Sequence, residues 1–126
     1  MCILLVEDEW LIREVFAEEL IEAGFEVCKA DNGDQAAALI DIQSDRLSLL
    51  VTDIHMPGRL DGIAVARLLR ERRPDIPVIY MTGRPDALNG VGLLGPEDVL
   101  LRKPFAPSEL LAAARRLLAG RDHRAR

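Results

Sequence analysis

A chain of 126 residues, 49% hydrophobic and 29% charged, carries enough apolar material for one core and has the length of one domain. Folding at this length buries roughly two-thirds of the unfolded surface, so no disulfide or metal staple is needed. Sixteen Lys and Arg against 21 Asp and Glu leave a net charge of −5, which argues against the basic face that direct nucleic-acid binding requires. No apolar run approaches the ~20 residues of a membrane span. No basic segment, apolar core and cleavage site open the chain, so a cytoplasmic location is expected. Cys2 and Cys28 both lie in apolar segments and read as reduced, buried thiols rather than a bridge.

Short apolar runs alternate with longer segments of helical period. Met1 to Val6 reads as the first strand. Leu11 to Ala23 follows as a helix with Ile12, Val15, Phe16 and Leu20 on one stripe and Gly24 as its stop. Phe25 to Ala30 is the second strand, Asp34 to Ile42 an Ala-rich helix, and Leu47 to Thr52 the third strand. Ile63 to Arg72 is a helix ended before Pro74, and Pro77 to Thr82 the fourth strand. Residues 85–98 hold Gly90, Gly92, Gly95 and Pro96, so the helix expected there is short or irregular. Val99 to Lys103 is the fifth strand. A last helix starts at Pro107 with Leu110, Leu111, Ala114, Leu117 and Leu118 on its stripe, and Gly120 reads as its stop. Residues 1–120 are thus one domain, with 121–126 as a polar tail.

Leu49-Leu50-Val51 and Val78-Ile79-Tyr80-Met81 are apolar on both faces, as in parallel strands covered by helices on each side. Five such strands alternating with helices predict a doubly wound α/β domain. Its ligand site is expected beyond the C-terminal strand ends, at a topological switch point.

The strand ends carry a coherent set: Glu7 and Asp8 on the first, Asp53 on the third, Thr82 on the fourth and Lys103 on the fifth. Taken singly, Asp8 reads as a helix N-cap, Asp53 as a turn residue before Pro57 and Lys103 as a surface lysine. Their coincidence at one end of the sheet is what carries chemistry. Three gathered carboxylates repel one another unless a cation intervenes. Hard oxygen ligands of this kind suit Mg²⁺, while a lysine and a hydroxyl suit the oxygens of a phosphoryl group. The set reads as Mg²⁺-assisted phosphoryl transfer to a carboxylate, with Asp53 as the nucleophile.

The motifs Leu4-Leu5-Val6-Glu7-Asp8-Glu9, Val51-Thr52-Asp53-Ile54-His55-Met56-Pro57, Asp61-Gly62, Met81-Thr82-Gly83 and Lys103-Pro104-Phe105 occur in this order. In them the chain resembles a receiver domain of the bacterial response regulators, from Met1 to about Ala119. The resemblance implies a flavodoxin-like, CheY-like five-stranded parallel sheet of order 2-1-3-4-5. It implies that Asp53 is phosphorylated by a sensor histidine kinase or a histidine phosphotransferase. Asp8 and Asp53 would bind Mg²⁺ directly, Glu7 mainly through water, and His55 through its backbone carbonyl alone. Thr82 and Lys103 would contact the phosphoryl oxygens, and the Lys103-Pro104 peptide would be cis.

Three departures from the family pattern stand out. The loop between Asp53 and Asp61 is one residue longer than the commonest form, Leu100 occupies the place of the usual switch aromatic, and Arg84 lies two positions after Thr82. Two motif matches are set aside. Gly90-Val91-Gly92-Leu93-Leu94-Gly95 fits G-x-G-x-x-G, but Pro96 follows it and no strand precedes it, so nucleotide binding is not expected. Haloacid-dehalogenase-like phosphatases carry a second Asp two residues after the nucleophile, where this chain has His55.

The expected function is that of a stand-alone receiver, a phosphorylation-controlled binding module rather than an enzyme acting on an external metabolite. A receiver cut from a longer DNA-binding regulator or hybrid histidine kinase is the alternative. A small Mg²⁺-dependent phosphohydrolase is a more distant one.

Overall fold

Strands β1 (Cys2–Val6), β2 (Glu26–Ala30), β3 (Leu47–Asp53), β4 (Val78–Thr82) and β5 (Val99–Arg102) form one parallel sheet in a computed structural model, which describes residues 1–84, 95 and 97–124. The strand order is β2-β1-β3-β4-β5, as the resemblance implies. Helices α1 (Trp10–Glu22), α2 (Gly33–Gln43), α3 (Gly62–Arg72) and α4 (Pro107–Arg124) follow β1, β2, β3 and β5 in turn, and a short 3-10 turn spans Ser44–Arg46. The helix expected over 85–98, like the Gly90 to Gly95 pattern, falls almost wholly outside the described residues.

The period of two along each strand divides the core into two layers. Ile3, Leu5, Leu49, Val51, Ile79 and Met81 point to the face covered by α1 and α4. Leu4, Val6, Leu50 and Tyr80 point to the opposite face, under α2 and α3. Burial on both faces explains why β1, β3 and β4 read as continuous apolar runs. β2 is an edge strand and only its last residue, Ala30, is buried.

Local sequence sets the helix ends. Asn32 caps α2 by accepting from the Gln35 N–H at 2.8 Å, and Gln35 returns a bond from the Asp31 N–H at 2.9 Å. Asp61 caps α3 through the Ala64 N–H at 2.9 Å. α1 ends in a Schellman motif, with the Phe25 N–H donating to the Leu20 carbonyl and the Gly24 N–H to that of Ile21.

Two local features differ from expectation. α4 continues through Gly120 to Arg124; one glycine costs a helix only about 1 kcal/mol, too little to force a stop. Val15 is 42% exposed, because Phe16, Ala17 and Leu20 turn the α1 core face away from it. Trp10, at the start of α1, is 67% exposed.

The chain leaves β1 for β2 on one side and returns to β3 on the other. The crevice beyond the C-terminal ends of β1 and β3 is therefore the switch point of the sheet.

Candidate functional site

Glu7 and Asp8 follow β1 at that crevice, and Asp53 is the last residue of β3. One carboxylate oxygen from each of Glu7, Asp8 and Asp53 lies within 4.8 Å of the others. Glu7 and Asp53 are buried, whereas Asp8 is exposed at the mouth. The Glu9 N–H donates to Glu7 Oε2 at 3.1 Å, and the Arg13 guanidinium donates to the Glu7 carbonyl at 2.8 Å. Arg13 is a site residue that sequence reasoning missed. Its signal was faint: a basic residue one turn into the helix that follows two acids.

Lys103 enters from beyond β5. Its Nζ donates to Glu7 Oε1 and to Asp53 Oδ2, each at 3.0 Å. Burial alone would lower the lysine pKa, but the bonds to the two carboxylates outweigh it and raise it. Burial raises Glu7 and Asp53, and the lysine acts against both shifts. The Lys103-Pro104 peptide is cis.

Thr82 is fully buried at the end of β4, and its hydroxyl is engaged locally. It accepts from the Arg84 N–H at 2.9 Å and donates to the Arg84 carbonyl at 3.1 Å. The structure thus groups Glu7, Asp8, Asp53 and Lys103, while Thr82 faces Arg84 rather than Asp53. His55 is exposed, and its backbone N–H bonds to Asp53.

The loop from Asp53 to Asp61 is held close at two glycines. A Cβ on Gly62 would lie 2.0 Å from the Asp53 carbonyl oxygen, so only glycine lets α3 begin against the end of β3. A Cβ on Gly33 would lie 2.2 Å from the Leu60 carbonyl oxygen. The longer loop therefore packs onto the start of α2, and Arg59 reaches Asp34 at 3.3 Å. Asp8 adjoins a cavity of about 430 Å³ walled by this loop and by Asp31 and Asn32.

The response regulator receiver domain model matches residues 3–115. The chain belongs to this family. It is 42% identical over 119 residues to the response regulator MprA of Mycobacterium avium, a match covering 94% of this chain and 51% of that protein. The chain thus spans about half the length of the curated relatives it matches. A response regulator receiver protein from Sinorhizobium medicae superposes with a TM-score of 0.82 at 32% identity, covering 96% of each chain. A receiver domain protein from Clostridium thermocellum superposes with a TM-score of 0.84 at 25% identity, again covering 96% of each.

Receiver domains of two-component systems interact with histidine kinases, and they are typically phosphoacceptors rather than enzymes. The Glu7, Asp8 and Asp53 cluster is consistent with such a site, and Mg²⁺ is typical of it. The donor set fits that ion: three carboxylates supply only hard oxygen ligands, with one donor open to solvent so that waters can complete the shell. Among the described residues no helix is long and apolar enough to cross a membrane.

Proposed function

We propose that Asp53 accepts a phosphoryl group from a phosphohistidine on a sensor histidine kinase or histidine phosphotransferase, and that the aspartyl phosphate switches protein contacts. Residues 1–120 act as the receiver unit, in the cytoplasm, with 121–126 as a tail. The observation that carries this reading is the Lys103 ammonium lying 3.0 Å from both Asp53 and Glu7. A cation already seated on the nucleophile can follow the phosphoryl oxygens as charge moves onto Asp53.

An Asp53 carboxylate oxygen attacks phosphorus while the N–P bond breaks, and the bonding pair returns to the donor imidazole. Asp8, Asp53 and the His55 carbonyl would hold Mg²⁺ directly, and Glu7 mainly through water. Bound there, the ion would neutralise charge on the transferring oxygens. Lys103 and Thr82 then hold the phosphoryl oxygens. Thr82 does so by exchanging its bonds to Arg84 for one to the new group, which ties the site to the chain after β4.

An apolar groove of about 340 Å³ runs beside Lys103, lined by Leu11, Val15, Phe16, Pro104, Phe105 and Pro107. With Leu11 and Val15 exposed along it, it suits the phosphohistidine-bearing partner. Phosphotransfer tests the whole reading. A phosphorylated histidine kinase should pass its label to the chain in the presence of Mg²⁺, and Asp53→Asn should take none. Label on the Asn variant would contradict it.

A further inference from the structure

Cys2 opens β1 and Cys28 sits on β2, two register positions further along. The offset of two keeps both side chains on the same face of the sheet, in the layer under α2 and α3. Their sulfurs lie 2.6 Å apart, and both thiols are free. That separation is well inside ordinary contact and about half an ångström beyond a sulfur–sulfur bond. Cys2 is buried, whereas Cys28 is partly open and its thiol also donates to Gln43 Oε1 at 3.4 Å.

We propose that Cys2 and Cys28 are an oxidation site that a small organic disulfide converts to an intramolecular bond joining β1 to the edge strand β2. The two cysteines divide the work by access. The Cys28 thiolate attacks one sulfur of the small disulfide; its S–S bond breaks, and one small thiol leaves with the proton that Cys28 gave up. Cys2 then attacks the Cys28 sulfur of the mixed disulfide, and the second small thiol leaves with the Cys2 proton. The protein gives up two electrons and two protons, and the small disulfide takes up both. Burial and the Cys28 contact push the Cys2 thiol up to about 12, which disfavours it as the thiolate that attacks first.

The bond lies at the start of β1, away from the acidic site at the strand ends. It would close a loop that contains α1 and the Glu7 to Asp8 turn, and it would pin an otherwise weakly buried edge strand. Glutathione disulfide is the probe, applied to the whole chain and read by intact mass, peptide mapping and thermal melting. The wild type should lose the mass of two hydrogens and yield one linked Cys2–Cys28 peptide. Its melting temperature should rise by roughly 10 °C, and dithiothreitol should reverse both changes. Cys2→Ser should stop as a glutathione adduct on Cys28, and Cys28→Ser should stay reduced. A wild-type chain that stays reduced, stops at the Cys28 adduct, forms linked dimers, or melts unchanged after bonding would overturn the proposal.

Discussion

Lys103 donates to Glu7 at 3.0 Å although 96 residues separate them in the chain. The same nitrogen bonds Asp53 at 3.0 Å, so one cation serves two buried acids. Lys103→Met would leave both carboxylates facing each other in a low-dielectric crevice. Loss of one member of a buried charge set costs about 3–5 kcal/mol. The variant should melt well below the wild type, and added Mg²⁺ should recover more of its stability than it adds to the wild type. An unaltered melting temperature without Mg²⁺ would show that the lysine is not the counterion of this pair.

A second buried ion pair holds the far side of the sheet. The Asp98 side chain is 1% exposed and takes both ends of the Arg70 guanidinium, along with the backbone N–H groups of Val78 and Gly95. Arg70→Met should cost about 3 kcal/mol or more, because it strands a buried carboxylate. The double variant with Asp98→Asn should be less destabilised than the sum of the two single variants. Strict additivity in denaturant melts would mean that the two residues act independently.

Burial, then the bond with Cys28, raises the Cys2 thiol from 9.0 to about 12. The folded chain keeps a proton that the unfolded chain releases above pH 9. The resulting stability is complete below pH 9 and is lost as the pH climbs toward 12. Under reducing conditions the melting temperature of the wild type should fall more steeply above pH 9 than that of Cys2→Ser. Parallel curves would remove Cys2 from the alkaline transition.

Val15 projects from α1 into the groove beside Lys103 while remaining 42% exposed. Val15→Asp should leave stability within about 0.5 kcal/mol, as surface changes usually do. Transfer from a phosphorylated kinase should slow by about tenfold or more, whereas labelling by acetyl phosphate should be unchanged. Equal loss with both donors would place the defect in the site and not in docking.

The sheet was legible because β1, β3 and β4 are buried on both faces and so carry uninterrupted apolar runs. Glu7, Asp8, Asp53 and Lys103 were legible as a group because parallel strands deliver their C-terminal ends to one crevice. Other features depend on distances that no local pattern encodes. Leu11, Ile12, Val15 and Phe16 are all apolar, so the helical period alone could not say that Leu11 and Val15 face outward. The Cys2 and Cys28 contact needs the register between β1 and β2. The Arg70 and Asp98 pair needs α3 to meet the start of β5. The Arg13 bond to Glu7 uses a backbone carbonyl, which side-chain patterns do not record.

Asp53 as the sole phosphoacceptor is tested most directly by intact-mass spectrometry after incubation with acetyl phosphate. With Mg²⁺ the chain should gain one phosphoryl group, located on Asp53 by reduction and peptide mapping. EDTA should prevent the gain, since Lys103 alone leaves the Glu7, Asp8 and Asp53 cluster net negative and it repels an incoming phosphate without a divalent cation. Asp53→Asn should remain unmodified under the same conditions. A phosphoryl group on Asp53→Asn, or one found at any other residue of the wild type, would contradict the assignment.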